Sequence, residues 1–140
     1  MKILIAADGS EYTKKMLAYL ASHKEMFGPN NDYTVATVQT PLPPRARAAV
    51  GAEVVKSYHA DEADKVLGPA VKALLRQGIE AKSTWKVGPV GETLSKMAES
   101  GGFDLIVMGS HGHGAFGNLV MGSVATQVIA HCGVPVLLVR

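Results

Sequence analysis

The chain has 140 residues, 47% of them hydrophobic and 19% charged. That balance is typical of a folded globular protein and excludes a disordered polypeptide, which has fewer apolar residues and more charge. A chain of this length is expected to form one domain, residues 1–140, around one core.

The charged residues give little reason to expect a polyanionic partner. Fourteen basic and twelve acidic side chains leave a net charge of +2, and the cations are scattered along the chain. Binding to nucleic acid is therefore not expected. Cys132 is the only cysteine, so an internal disulfide is excluded and a cytoplasmic location is expected.

Short aliphatic runs alternate with longer segments of helical periodicity. This alternation predicts an α/β fold, a doubly wound open sheet of five parallel strands with helices on both faces. The first run, residues 2–7, predicts a buried strand and is too short for a signal peptide or a membrane span, so no membrane partner is expected. Further strands are predicted at residues 33–39, 79–86, 103–108 and 135–139, and helices at residues 11–26, 52–77, 90–99 and 122–132.

Prolines mark two irregular places in this pattern. Residues 40–44 read Thr-Pro-Leu-Pro-Pro, which predicts a long, stiffened loop because no helix can run through it. Gly68-Pro69 falls inside the second predicted helix, where it is expected to kink or divide it.

Two strand ends carry the residues most suited to chemistry. In open parallel sheets, ligands bind beyond the carboxyl ends of the strands. Asp8 follows the first strand, and a glycine-rich segment from Gly109 to Ser123 follows the fourth and opens onto a helix. Glycines let the backbone approach an anion, helix-start amides attract one, and no acid occurs after Asp104. The segment predicts a phosphate cradle, with an ordinary loose loop as the alternative.

Two common nucleotide motifs do not fit this segment. Residues 112–117 match G-x-G-x-x-G, but they follow the fourth strand, and the ribose-binding acid about twenty residues later is missing. The pattern G-x-x-x-x-G-K-[ST] is absent too. A nicotinamide enzyme and a P-loop nucleotidase are both set aside.

A different spacing resembles a known family. Gly109, Gly112 and Gly122-Ser123 follow the G-x-x-G-x9-G-[ST] motif of the ATP-binding universal stress proteins. Residues 3–10, 103–109 and 135–139 are also similar to that family. The resemblance implies the strand order 3-2-1-4-5, which the sequence pattern alone does not show.

The resemblance also implies a nucleotide site. It places Asp8 near the ribose, Val38 near the adenine, and the motif residues around the ribose and phosphates. The full set of candidate nucleotide-binding residues is Ala7, Asp8, Val38, Met108, Gly109, His111, Gly112, Gly122, Ser123 and Val124.

Several of these residues have other interpretations. Asp8 could instead serve the turn or cap the next helix, and Ser123 could be a helix N-cap. His111 and His113 could form a metal pair, but two ligands on a loop make a poor site, so no metal site is predicted. Many family members carry a cation in this loop. His113 and Asn118 stand there instead, which predicts lower phosphate affinity.

The leading hypothesis is an ATP-binding stress-response regulatory protein, in which nucleotide occupancy orders residues 110–121. The ligand is ATP, with or without Mg²⁺, and no catalytic residue is assigned because no base is paired with an activated nucleophile. One alternative is a slow Mg²⁺-dependent ATP hydrolase that uses Asp8 or His111. Another is a nucleotide-free dimeric stress scaffold.

A homodimer is expected through the last strand. Val136-Leu137-Leu138-Val139 would form an apolar sheet edge, and such edges are usually covered. The resemblance implies that this strand pairs across a two-fold axis.

Overall fold

The computed structural model describes residues 1–113 and 120–140. Within them, strands and helices alternate, with one additional short helix before the longest one. In chain order the elements are β1 (Lys2–Ala6), α1 (Glu11–Ser22), β2 (Asp32–Gln39), α2 (Pro44–Val50), α3 (Ala52–Arg76), β3 (Ala81–Val87), α4 (Val90–Ser100), β4 (Leu105–Gly109), α5 (Ser123–His131) and β5 (Val136–Val139).

The five strands form one sheet in the order β3-β2-β1-β4-β5, and every neighbouring pair is parallel. This confirms the predicted α/β class and the strand order that the resemblance implies. The chain first builds outward from β1 to β3 and then returns to place β4 on the other side of β1. The strand ends of β1 and β4 therefore meet at the point where the direction of winding reverses, which is where open sheets bind ligands.

Alternating side chains of β1 divide the core into two layers. Ile3 and Ile5 pack with α1 and α3 on one face of the sheet, whereas Leu4 packs with α4 and α5 on the other. All three are fully buried, as expected for a central parallel strand with both faces covered. The helices thus cover both faces, as predicted.

The first helix is shorter than predicted, because it ends at Ser22 and not at residue 26. His23 leaves the helical conformation, and its carbonyl accepts hydrogen bonds from Met26 at 3.1 Å and Phe27 at 2.9 Å in the turn that follows. This turn carries Phe27 into the core, where it is fully buried. Burying the Phe27 ring in the core therefore outweighs extending the helix through residues 23–26.

Helix α2 was not predicted, and the proline-rich segment is a loop only up to Pro43. Pro44 occupies the first turn of α2, where its fixed φ suits a helix and its missing N–H costs no hydrogen bond. Gly51, with a φ of +85°, separates α2 from α3. Of the two outcomes expected at Gly68-Pro69, a division is wrong, since α3 runs unbroken through Pro69, which is exposed.

The remaining boundaries differ from the predictions by one or two residues. At the fourth strand, for example, Asp104 precedes the pairing region, and its Oδ2 accepts a hydrogen bond from the Lys2 N–H at 2.8 Å. β4 consequently begins at Leu105 and extends through Gly109. Among the described residues, no helix combines the length and apolar character needed to cross a bilayer.

Candidate functional site

A cavity of about 930 Å³ opens at the carboxyl ends of β1, β2 and β4. The starts of α4 and α5, the segment before α2, one side of α3 and Thr13 of α1 complete its walls. All ten candidate residues line it, although they come from four separate stretches of sequence. They are Ala7, Asp8, Val38, Met108, Gly109, His111, Gly112, Gly122, Ser123 and Val124.

Asp8 uses one carboxylate oxygen to hold the turn after β1. Its Oδ1 accepts hydrogen bonds from the Ser10 N–H and the Thr13 hydroxyl, each at 2.9 Å. The Thr13 Oγ1 in turn accepts from the N–H groups of Asp8 at 3.0 Å and Gly9 at 3.2 Å. The second oxygen, Oδ2, bonds to no described residue. Asp8 therefore serves the turn and still presents an acceptor to the cavity.

The Asp8 carboxyl is charged at neutral pH. Burial by itself raises its pKa, but the hydrogen bonds from Ser10 and Thr13 and the nearby His113 outweigh burial and bring the pKa below its ordinary value. A carboxylate of this kind accepts hydrogen bonds from hydroxyl groups. It is also a weak base.

The three motif glycines lie where the chain packs closely against itself. A β-carbon on Gly109 would lie 2.8 Å from Tyr12 Cβ, and one on Gly112 would lie 2.6 Å from Asp8 Oδ2. A β-carbon on Gly122 would lie 3.1 Å from His111 Cα and 3.3 Å from the Ser110 carbonyl oxygen. A β-carbon at Gly109 or Gly112 would therefore force a neighbour to move, and one at Gly122 would be tight against the backbone, before any ligand is considered.

The start of α5 offers unpaired amides to the cavity. Gly122, and not Ser123, is the N-cap residue, and it makes no side-chain cap. The Gly122 N–H is taken by the Ser110 carbonyl at 2.7 Å, and the first hydrogen bond of the helix runs from Thr126 to Gly122 at 3.0 Å. The N–H groups of residues 123–125 thus have no partner within the helix, and all three residues line the cavity.

The two histidines after β4 have separate partners. His113 Nε2 lies 2.7 Å from the carbonyl oxygen of Asp8, which can only accept, so Nε2 carries the hydrogen. His111 Nδ1 lies 2.8 Å from Ser110 Oγ, and its ring lies 4.8 Å from the ring of Tyr12. Within residues 1–113 and 120–140, no group of three or more potential ligands could hold a metal ion.

One wall of the cavity is apolar. The apolar side chains are Val38 near the end of β2, Met108 of β4, Val124 in the first turn of α5, and Val90 and Leu94 of α4. Such a wall accommodates a flat apolar group, while the carboxylate and the amides lie where polar groups can reach them.

The cavity contains few charges. Among its described lining residues are two acids, Asp8 and Glu62, two histidines and Tyr58, with no lysine or arginine. Glu62 is already paired with Lys65 at 2.8 Å. The centre of the predicted loop, residues 114–119 with Asn118, lies outside the described residues, and its sequence contains no cation. Because no cation lines the described cavity, an anion bound there would be attracted mainly by the dipoles of backbone amides.

Sequence reasoning missed several lining residues. Thr13 lies five positions after Asp8 on α1, and nothing in the sequence marks its hydroxyl as the partner of that carboxylate. The proline-rich loop was noted for stiffness only, yet it closes one side of the cavity. The residues missed were Ala6, Thr13, Ala36, Thr37, Gln39, Thr40, Pro41, Leu42, Pro43, Tyr58, Glu62, Val66, Val90, Leu94 and Ala125, while His113, considered for the phosphate loop, also lines the cavity.

Several solved structures share this fold. A structure of MJ0577 from Methanocaldococcus jannaschii superposes with a TM-score of 0.80 at 29% identity, over 99% of this chain and 94% of that one. At 24% identity, the universal stress protein of Archaeoglobus fulgidus, solved in complex with dAMP, has a TM-score of 0.68 over 100% of this chain and 98% of that one. At 14% identity, an Arabidopsis thaliana family protein with AMP bound has a TM-score of 0.71 over 99% and 90%.

Sequence relatives point to the same family. A universal stress protein of Thermus aquaticus is 32% identical over 146 residues, which cover 99% of this chain and 97% of the relative. Universal stress protein Slr1230 of Synechocystis is 30% identical over 139 residues, and there the chain spans only 42% of the relative's length. The sequence model of the Universal stress protein family matches residues 1–140. The chain belongs to the universal stress protein family.

Proposed function

We propose that the protein binds an adenine nucleotide in the cavity at the ends of β1 and β4. The presence of the bound nucleotide, rather than its hydrolysis, would be the signal that the protein gives in a stress response. The observation that carries the proposal is the convergence of three different groups on one cavity. These are a charged carboxylate with a free oxygen, the unpaired amides that begin a helix, and an apolar wall.

Each group suits one part of a nucleotide. Asp8 Oδ2 can accept hydrogen bonds from ribose hydroxyls, because its partner oxygen already holds the turn. The amides of residues 123–125 can donate to phosphate oxygens, and the helix dipole adds attraction there. Val38, Met108 and Val124 offer apolar surface to the adenine. The dAMP and AMP complexes of proteins with this fold support the same ligand class.

We propose that ATP binds here together with Mg²⁺. A free triphosphate would bring several negative charges beside Asp8, and no lysine or arginine lines the described cavity. A divalent cation would offset much of that charge. AMP, with fewer charges, would need no such help.

Binding is favoured over hydrolysis by the state of Asp8. A general base works best when its pKa lies near the operating pH, whereas the pKa of Asp8 is lowered. The carboxylate is thus better suited to hold a hydroxyl group than to take a proton from water. Regulation would then follow from the ligand ordering residues 110–121 and so changing the surface shown to a partner.

The test is to identify and then to remove the ligand. Mass analysis of the small molecules released from the purified protein should show AMP or ATP. Calorimetry on the protein stripped of ligand should show that AMP binds without metal. It should also show that ATP binds more tightly when Mg²⁺ is present. Hydrogen exchange of residues 110–121 should slow when nucleotide is added. Absence of both a co-purified nucleotide and calorimetric binding would overturn the proposal.

We also propose a homodimer through β5. β5 is an edge strand, and its residues 136–138 are only half-buried. Ile129 on the adjacent α5 is 47% exposed, so the apolar surface extends beyond the strand. A second copy would cover both. Sedimentation at micromolar concentration should give a dimer, and Leu137→Lys should give a folded monomer; a wild-type monomer would contradict the proposal.

A cytoplasmic location is proposed on the sequence alone. The sole cysteine, Cys132, is half-buried and free, as suits a reducing compartment. Fractionation of cells that express the tagged protein should recover it with cytoplasmic markers, and recovery with the membrane or secreted fraction would contradict this.

A further inference from the structure

A second cavity of about 550 Å³ lies at the opposite edge of the sheet from β5, between α2, the first half of α3 and strand β3. It shares no lining residue with the nucleotide cavity. Most of its lining is apolar and includes Trp85, the only tryptophan of the chain. Three lining side chains are polar: Arg47, Lys56 and His59.

His59 is 4% exposed and has a fixed tautomer. The Gln39 side-chain amide donates from Nε2 to the His59 carbonyl at 2.7 Å, so its Oε1 is the atom that lies 2.7 Å from His59 Nδ1. An amide oxygen only accepts, and therefore Nδ1 carries the hydrogen. The other ring nitrogen, Nε2, is left as a hydrogen-bond acceptor.

His59 Nε2 has no hydrogen-bond partner among the described residues, yet it is not sealed in the core. The one fully buried side-chain polar atom without a partner in the described part of the chain is Ser10 Oγ. The Nε2 atom therefore retains access, and the space that His59 lines is the second cavity. A nearly buried acceptor that opens into an apolar space is a polar feature that a ligand could satisfy.

The charged residues that line the second cavity are all cations. Arg47 on α2 and Lys56 on α3 both line it, and neither forms an ion pair with any described residue. No acid is among its described lining residues. The cavity therefore attracts an anion, and Trp85, which lines the same cavity, favours an anion with a flat apolar body.

We propose that this second cavity binds a small aromatic monoanion that also carries a hydroxyl group. The ring would pack against Trp85, the carboxylate would lie between Arg47 and Lys56, and the hydroxyl would donate to His59 Nε2. This site shares no lining residue with the nucleotide cavity, although Gln39, which holds His59, lines the nucleotide cavity.

Trp85 makes the site directly observable. Tryptophan fluorescence of the purified protein should change saturably on titration with 4-hydroxyphenylacetate, because the only tryptophan lines the proposed site. The neutral analogue 4-hydroxyphenylacetamide should bind about fivefold more weakly, since it lacks the charge. Phenylacetate, which lacks the hydroxyl, should also bind more weakly. A titration without a saturable change in fluorescence overturns the proposal.

Matched variants separate this site from nonspecific binding. The double variant Arg47→Gln/Lys56→Gln should weaken binding of 4-hydroxyphenylacetate by about tenfold. The control Arg45→Gln/Lys72→Gln removes two exposed cations from the same helices, neither of which lines the cavity, and should leave binding unchanged. Both doubles replace exposed side chains, so circular dichroism should show an unchanged fold. Equal affinity of the two double variants would overturn the proposal.

Discussion

The α-carbon of Gly112 lies so close to Asp8 that a β-carbon there would be 2.6 Å from Asp8 Oδ2. That oxygen is the one left free by the turn, and a methyl group on Gly112 would have to displace it. We expect Gly112→Ala to weaken AMP binding by on the order of tenfold or more, as measured by calorimetry.

Gly133→Ala is the matched control. Its β-carbon would meet a single side-chain atom at 4.0 Å, so both the fold and the affinity for AMP should be retained. Equal loss of binding in the two variants would show that the contact with Asp8 is irrelevant to the ligand.

The Asp8 carboxylate should give the protein a pH-dependent stability at acidic pH. Its pKa in the folded chain lies below that of an unfolded aspartate, about 3.9. The resulting stabilisation is complete above the unfolded value and is lost as pH falls through the lower folded-state pKa. Asp8→Asn, which keeps weaker hydrogen bonds to Ser10 and Thr13, should be less stable at pH 7 by about 1 kcal/mol.

Urea unfolding at a series of pH values checks this. The difference in unfolding free energy between wild type and Asp8→Asn should shrink as the pH is lowered below about 4. A difference that is constant with pH would mean that the Asp8 charge does not contribute to folding.

Thr13 should be required for the turn after β1. Its hydroxyl oxygen is the acceptor for the N–H groups of Asp8 and Gly9 and donates to Asp8 Oδ1. Thr13→Val keeps the shape of the side chain but leaves these groups unpaired, and we expect a loss of about 1–3 kcal/mol in unfolding free energy. Thr13→Ser keeps the hydroxyl and should lose less; an equal loss in both variants would assign the effect to packing.

Pro69 should cost the protein stability. It lies inside α3 at an exposed position and cannot donate to the carbonyl four residues earlier. Pro69→Ala should raise the unfolding free energy by about 1–3 kcal/mol in urea titrations. Lys72→Ala, at another exposed position of α3, should change it by less than about 0.5 kcal/mol. A less stable Pro69→Ala variant would show that proline stabilises this helix.

Local pattern predicted the strands and most helices, because buried strands and amphipathic helices leave their periodicity in the sequence. The strand order depended on the family resemblance. Helix α2 was not predicted because proline disrupts the interior of a helix. Pro44, however, lies in the first turn of α2, where a helix accepts proline readily. The end of α1 depended on burying Phe27, which no local pattern reveals.

For the site, the motif spacing identified residues that meet at one cavity, but it did not reveal why the glycines are there. Gly122 shows the difference. The sequence predicts that Gly122 lacks a side chain so that phosphate can approach the backbone. In the structure, a β-carbon at Gly122 would instead meet the backbone of Ser110 and His111. A bulky substitution at Gly122 would consequently disturb the protein itself. Such contacts join residues far apart along the chain, so they require coordinates.

The unpaired amides of residues 123–125 have an evolutionary consequence. Every amino acid except proline supplies the same peptide N–H, so an anion held at this helix end is held by a part of the chain that ordinary substitutions do not alter. Substitutions at these three positions could therefore keep the phosphate contact, although Val124 also offers apolar surface to the cavity and Ala125 is buried in the core. Loss of the function would instead begin at the glycines that set the path of the main chain.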